Sequence, residues 1–211
     1  MSHLRLATTT SAVASAFALS VAIAPSASAT PPDIPSTEVA ESQLASLSVE
    51  AEGSTDDYDR DDFPHWSPVE GNCNTRETVL ERDGEGVESG TDCYPTSGDW
   101  ESAYDGETFT EAGDLDIDHV VPLAEAWRSG ADDWSEEQRE AFANDLDGPQ
   151  LIAVSASSNR SKGDQDPASW WPEESDYRCT YAKMWIATKH EWELTLQHEE
   201  KAALTDGIAA C

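Results

Sequence analysis

The chain has 211 residues, with 43 acidic against 12 basic side chains and a formal net charge of −31. A negative field this strong excludes loose, charge-driven association with nucleic acid, because phosphates are repelled at long range. Beyond an apolar run from Ala12 to Ala24, itself short for a membrane span, no stretch is long and apolar enough to be one.

That run follows a weakly basic start (His3, Arg5) and precedes Ala27-Ser28-Ala29, the small-x-small pattern of a signal-peptidase site. Residues 1–29 therefore read as a secretory signal, and the mature chain is expected outside the cell, soluble and without a membrane anchor. Residues 30–62 are rich in proline, serine and acids. They read as an acidic, disordered tether, because so few large apolar groups cannot offset the entropy of ordering. A short helix near residues 39–49 is the one element the pattern allows there. The folded domain is expected over residues 63–211, long enough for a single core.

Within it, NTRETVLERDG suggests a short capped helix stopped near Gly84. The glycine-punctuated runs VESGTDCY and SGDWESAYDGETF suggest a hairpin, with Trp100 and Tyr104 on one strand face as core aromatics. Leu115, Ile117, Val120 and Val121 favour a strand, and Pro122 keeps Val121 out of the helical region. LAEAWRSG is a short helix, and DWSEEQREAFANDL a second one with Ser135 as N-cap. LIAVSAS is another strand, and SNRSKGDQDP a polar turn or helix start. Tyr181, Trp185, Thr188 and Trp192 fall at helical spacing, and QHEEKAALTDGIAAC closes the chain with a further helix.

Four cysteines in an exported chain favour two disulfides over reactive thiols. Of the three possible pairings, Cys73 with Cys93 and Cys179 with Cys211 each close one compact segment, and the latter ties down the C-terminus. A zinc site is the rival, but no CxxC spacing supports it.

Charge is uneven. Residues 30–118 carry 25 carboxylates and 3 arginines, whereas residues 119–211 carry 18 carboxylates and 8 basic groups. The boundary falls at His119, in LDIDHVVPL. On an ideal strand Asp118 and His119 face opposite ways, so both serve one site only if it lies at the strand's tip.

The motifs CNTRETVLERD, DIDHVVPLAEAW and SNRSKGDQDP together resemble the His-Asn-His (HNH) nucleases with a ββα-metal site. They are similar in particular to exported HNH-family proteins related to the C-terminal domain of the GmrSD restriction endonucleases. The likeness runs from Asn72 to Cys211. It implies an α+β fold: a ββα-metal core with inserted and C-terminal helices and an N-terminal hairpin, stapled by two disulfides. It implies a metal-dependent endonuclease that cuts DNA in preference to RNA and leaves a 5′ phosphate; a monomer is expected.

The resemblance carries Asp118 and Asn159 over as metal ligands. Both are oxygen donors, a hard set that suits Mg²⁺ or Mn²⁺. His119 is the candidate general base, since imidazole titrates in the range needed to activate water. Arg160 and Lys162 are candidate phosphate contacts. Two features depart from the family pattern. The asparagine that often braces the loop before the second strand is matched by Gln150, with Asn144 farther back, so that role is unassigned. The helices between His119 and Asn159 read as an insertion.

Each residue has a plainer reading. His119 and Asp118 can simply brace each other, Asn159 can cap a helix, and Asp116 is expected to be solvated. Asp164 and Asp166 suit a turn before Pro167. His65, His190 and His198 are read as structural or exposed. A silent secreted binding module on the same fold, favoured by the net acidity, is the alternative class. A hydrolase of another phosphodiester is a third.

Overall fold

The computed structural model describes Met1 and residues 29–211; the signal expected over residues 1–29 lies outside the described residues apart from its two ends. Helix α1 (Thr37–Ser46) comes first, followed by two short antiparallel strands, β1 (Pro68–Glu70) and β2 (Cys73–Asn74). Helix α2 (Thr75–Asp83) leads into a three-stranded antiparallel sheet of β3 (Glu85–Ser89), β4 (Pro95–Glu101) and β5 (Thr108–Phe109). Strand β6 (Leu115–His119), helices α3 (Leu123–Arg128) and α4 (Glu136–Ala143), strand β7 (Leu151–Ser155) and helix α5 (Ala156–Lys162) form the centre. Helices α6 (Arg178–Glu191) and α7 (His198–Ala209) complete an α+β fold.

Both disulfides form as expected, Cys73 with Cys93 and Cys179 with Cys211. The first ties β2 to the turn between β3 and β4; the second ties the start of α6 to the last residue. Helix α2 starts at an Asn74 N-cap, reinforced by Glu77 reaching back to the Asn74 amide at 2.9 Å. Ser135 caps α4 as its sequence suggests.

The sequence expectation fails for residues 30–62, which are not a disordered tether. Ser36 caps α1, and Ala40 and Leu44 are buried, on a helix that packs against α6 and α7. Val49 bridges to Leu196 in parallel, and the Gly53 amide bonds the Arg128 carbonyl at 2.9 Å. Composition misled because ordering here needs only a narrow apolar stripe, Ala40, Leu44 and Leu47, set on a surface that the helices of the domain already provide.

Strands β6 and β7 pair antiparallel, Leu115 opposite Ser155 through His119 opposite Leu151. This two-stranded wall is buried on both sides. Leu115, Ile117, Leu151 and Ala153 face one core with Trp100, Val79 and Leu80. Ile152 and Val154 face the other, with Tyr104, Tyr181 and Trp185. The placement of Trp100 and Tyr104 on one face is corrected: Trp100 lies near the end of β4 and donates to the Leu80 carbonyl at 2.8 Å, whereas Tyr104 lies in the turn after the strand and enters the opposite core.

Candidate active site

The wall and the helix that follows it bring the singled-out residues together. Strand β6 ends at His119, β7 returns beside it, and α5 begins directly at its end, with Ser155 accepting from the Ser158 amide as N-cap. Gly163, at φ +57°, ends α5 immediately after Lys162. The turn after His119 is held by Gln150, whose side chain is wholly buried. Its Oε1 accepts from the Val121 amide at 3.0 Å and its Nε2 donates to the Val121 carbonyl at 2.8 Å. This is the bracing role the sequence left unassigned. Asn144 braces elsewhere: it accepts from the Ser67 amide and donates to the Pro64 carbonyl.

Alternation on β6 places Asp116 and Asp118 on one side and His119 on the other. Helix α5 lies along the aspartate side in matching register. Asn159 donates to Asp116 Oδ2 at 3.2 Å; one turn on, the Lys162 ammonium meets Asp118 Oδ1 at 2.8 Å and the His119 carbonyl at 2.9 Å. Arg160 also approaches Asp116, at 3.4 Å. Asp116 is therefore paired as well as solvated, its side chain remaining 30% exposed, where the sequence suggested solvation alone. A spacing of three on a helix facing a spacing of two on a strand was the signal available for these pairs.

Lys162 is a second correction. It is fully buried, so it cannot reach a substrate phosphate; it grips the strand tip from behind. The hydroxyl of Tyr104, a residue assigned only to packing, takes the other Asp118 oxygen at 2.6 Å. Burial pushes Asp118 up and Lys162 down from their ordinary values, and each partner's charge opposes the shift. Burial, with Asp118 beside it, holds the Tyr104 phenol well above its usual range, so it stays a proton donor.

His119 is 5% exposed, with the Trp66 ring 5.6 Å and the His65 ring 6.5 Å from it between centroids. Its Nε2 lies 2.9 Å from the Ala143 carbonyl. A carbonyl only accepts, so Nε2 carries the proton and Nδ1 keeps its lone pair. Burial pushes the imidazole down to about 3, against the pull of the Ala143 bond, and the nearby positive charges of Arg60, His65 and Lys162 add to the depression. At neutral pH the ring is uncharged, but its value lies below the near-neutral range expected from the sequence, so in this setting it is a weaker base than a free imidazole. His65, read as structural or exposed, in fact stands beside this ring; His190 and His198 are exposed.

Asp118, His119, Asn159 and Arg160 line one open cavity of about 570 Å³. The cavity is also lined by Thr55, Tyr58 and Arg60 from the segment read as a tether, and by Asp164. The difficulty of two strand neighbours serving one site is met at the strand's tip, where both border the same space. Among the described residues, no group of three or more His, Cys, Asp or Glu side chains is arranged to hold a metal ion. The cleft offers a sparser set of donors. The Asn159 amide nitrogen is engaged by Asp116, and its oxygen takes no hydrogen bond from the described residues. Asp118 accepts one bond on each oxygen, and a carboxylate has lone pairs for more. An all-oxygen pair with the rest of the sphere left to water or substrate fits a hard divalent cation.

A two-stranded antiparallel hairpin with a helix packed on it, an aspartate–histidine tip and a helix-borne asparagine define the ββα architecture of the HNH-type nucleases. Residues 78–206 match the profile of the GmrSD restriction endonucleases, C-terminal domain, and the chain belongs to that family. It is also 52% identical over 194 residues to an "Uncharacterized secreted protein" of Arthroderma benhamiae, spanning 92% of this chain and 95% of that one. No solved structure matches the chain. With a secreted relative this similar and two disulfides formed, the present protein is a secreted one. Among the described residues no helix is long and apolar enough to cross a membrane.

Proposed function

We propose that this protein is a metal-dependent endonuclease that hydrolyses phosphodiester bonds of DNA, and of RNA where it is offered. The observation that carries the reading is the tautomer of His119: its Nε2 proton is spent on the Ala143 carbonyl, which leaves Nδ1 its lone pair, and the residue lines the cavity that Asp118, Asn159 and Arg160 share. In this reading Nδ1 takes a proton from water. The water oxygen forms a bond to phosphorus, and the bond from phosphorus to the 3′ oxygen breaks, leaving a 5′ phosphate.

Asp118 and Asn159 would hold one divalent cation, Mg²⁺ or Mn²⁺. When bound, such an ion stabilises the negative charge that develops on the phosphate and the leaving oxygen. Lys162 and Tyr104 fix the Asp118 carboxylate, Gln150 fixes the turn that presents His119, and Arg160 stands at the rim. The net acidity predicts weak affinity and little sequence preference. It also favours the rival reading, a silent secreted binding module.

A supercoiled-plasmid assay separates the two. The endonuclease nicks in Mg²⁺ or Mn²⁺, stops on adding EDTA, and leaves ends that a ligase reseals without prior phosphorylation. No nicking under any divalent condition would favour the silent module, and nicking undiminished by EDTA would remove the cation.

A further inference from the structure

An acidic protein that handles phosphodiesters needs at least one cation free to meet the phosphate. The two that the sequence offered are compromised: Lys162 is buried against Asp118, and Arg160 is drawn toward Asp116. Arg128, nearby, is committed to Glu52, Glu125 and Asp164. Arg76, Arg139, Arg178 and Lys201 are spent on backbone carbonyls, Arg82 on Asp83, and Lys189 on Glu125 and Glu200. Among the described residues only Arg60 and Lys183 have basic side chains without a hydrogen bond or ion pair. Arg60 borders the cavity of His119 and Asn159; Lys183, on α6, does not.

Arg60 is not on a loose tail. The Asp59 side chain caps its 3₁₀ turn, accepting from the Asp61 amide at 3.0 Å. Phe63, wholly buried, donates its amide to the Arg60 carbonyl at 3.1 Å and packs its ring against Phe142 and Trp127. Tyr58 lies edge-on to Trp127. Arg139 donates to the Asp62 carbonyl at 3.0 Å. Upstream, Gly53 bonds the Arg128 carbonyl so closely that a Cβ there would stand 2.8 Å from that oxygen. The backbone on both sides of Arg60 is thus anchored, while its guanidinium is left exposed at the cleft with no partner among the described residues.

We infer that Arg60, delivered by the N-terminal arm, is a substrate-binding residue that grips a phosphate of the nucleic-acid backbone in the His119 cleft. A planar fork with five N–H donors suits two phosphate oxygens at once. Arg60 precedes residues 78–206, so the family match does not point to it. The inference rests on the nuclease reading above, and it makes the arm part of the site.

The test is fluorescence anisotropy with a labelled DNA oligonucleotide at low salt, on the full chain carrying His119→Ala so that nothing is cut. Arg60→Ala is added in one arm and Lys183→Ala in the other; the two lose the same unit of charge. The plasmid assay is run in parallel with His119 restored. Arg60→Ala should weaken binding roughly 10- to 100-fold and lower kcat/KM in proportion, the loss expected for a charged hydrogen bond to phosphate. Lys183→Ala should stay within about twofold, and Arg60→Lys should recover part of the loss. If the two alanine variants behave alike while the parent nicks, the Arg60 assignment falls and the nuclease reading stands. If the parent neither binds nor nicks, both fall.

Discussion

The Lys162 ammonium sits 2.8 Å from the Asp118 carboxylate, the ammonium wholly buried behind the strand tip and the carboxylate nearly so, at the wall of the cleft. A residue with the profile of a surface phosphate contact is therefore the counter-charge that lets a carboxylate be buried at the site. Removing one partner of a buried pair leaves the other uncompensated. Lys162→Met should cost about 3–5 kcal/mol of stability in urea unfolding, with nicking lost in step. The double variant Lys162→Met with Asp118→Leu should recover much of the stability and none of the nicking.

Tyr104 holds the other oxygen of the same carboxylate. Tyr104→Phe keeps the ring and its packing against Tyr181 and Trp170 but deletes the hydroxyl. The expected loss is about 1–3 kcal/mol, that of one hydrogen bond to a charged group, read from the denaturation midpoint. Nicking should fall while the near-ultraviolet circular dichroism of the aromatic core is retained.

Gln150 satisfies both the amide and the carbonyl of Val121 inside the core. Gln150→Ala orphans both, at about 1–3 kcal/mol for each group. The turn that presents His119 then loses its brace. Hydrogen exchange at the Val121 amide should accelerate well beyond that of the neighbouring β6 amides; unchanged protection would show that the turn does not depend on this side chain.

Asp105 gives a pH signature away from the cleft. Burial alone would raise its carboxyl, but hydrogen bonds from the Ser155 and Ser158 hydroxyls and the Glu107 amide outweigh burial and hold it below the ordinary value of 3.8. A depressed carboxylate contributes stability that is present above the unfolded value and is lost as pH falls through the folded one. The parent should exceed Asp105→Asn in stability at neutral pH, and the gap should close as the pH drops below about 4. A gap that is constant from pH 7 to pH 2 would contradict the assignment.

The parts of this fold written in short-range pattern were readable from the sequence. Leu115 to His119 alternates as a strand, Ser135 and Glu136 announce α4, and Asp118, His119 and Asn159, singled out by their motifs, line one cavity. What escaped depends on contacts between distant segments. Tyr104 reads as packing because its partner comes 14 residues later, across a chain reversal. Lys162 reads as exposed because lysine usually is, and only the docking of α5 on β6 brings its ammonium under Asp118. The arm at residues 30–62 was misjudged because its order comes from the face on which Leu44 and Leu47 land, and its own composition does not report that face.

The most direct test of the account is the initial rate of plasmid nicking in Mg²⁺ by the parent and by His119→Ala, each confirmed as folded. Loss of a positioned base predicts a fall of roughly 10²- to 10⁴-fold. A variant that nicks at the parent's rate would contradict the role given to the Nδ1 lone pair of His119.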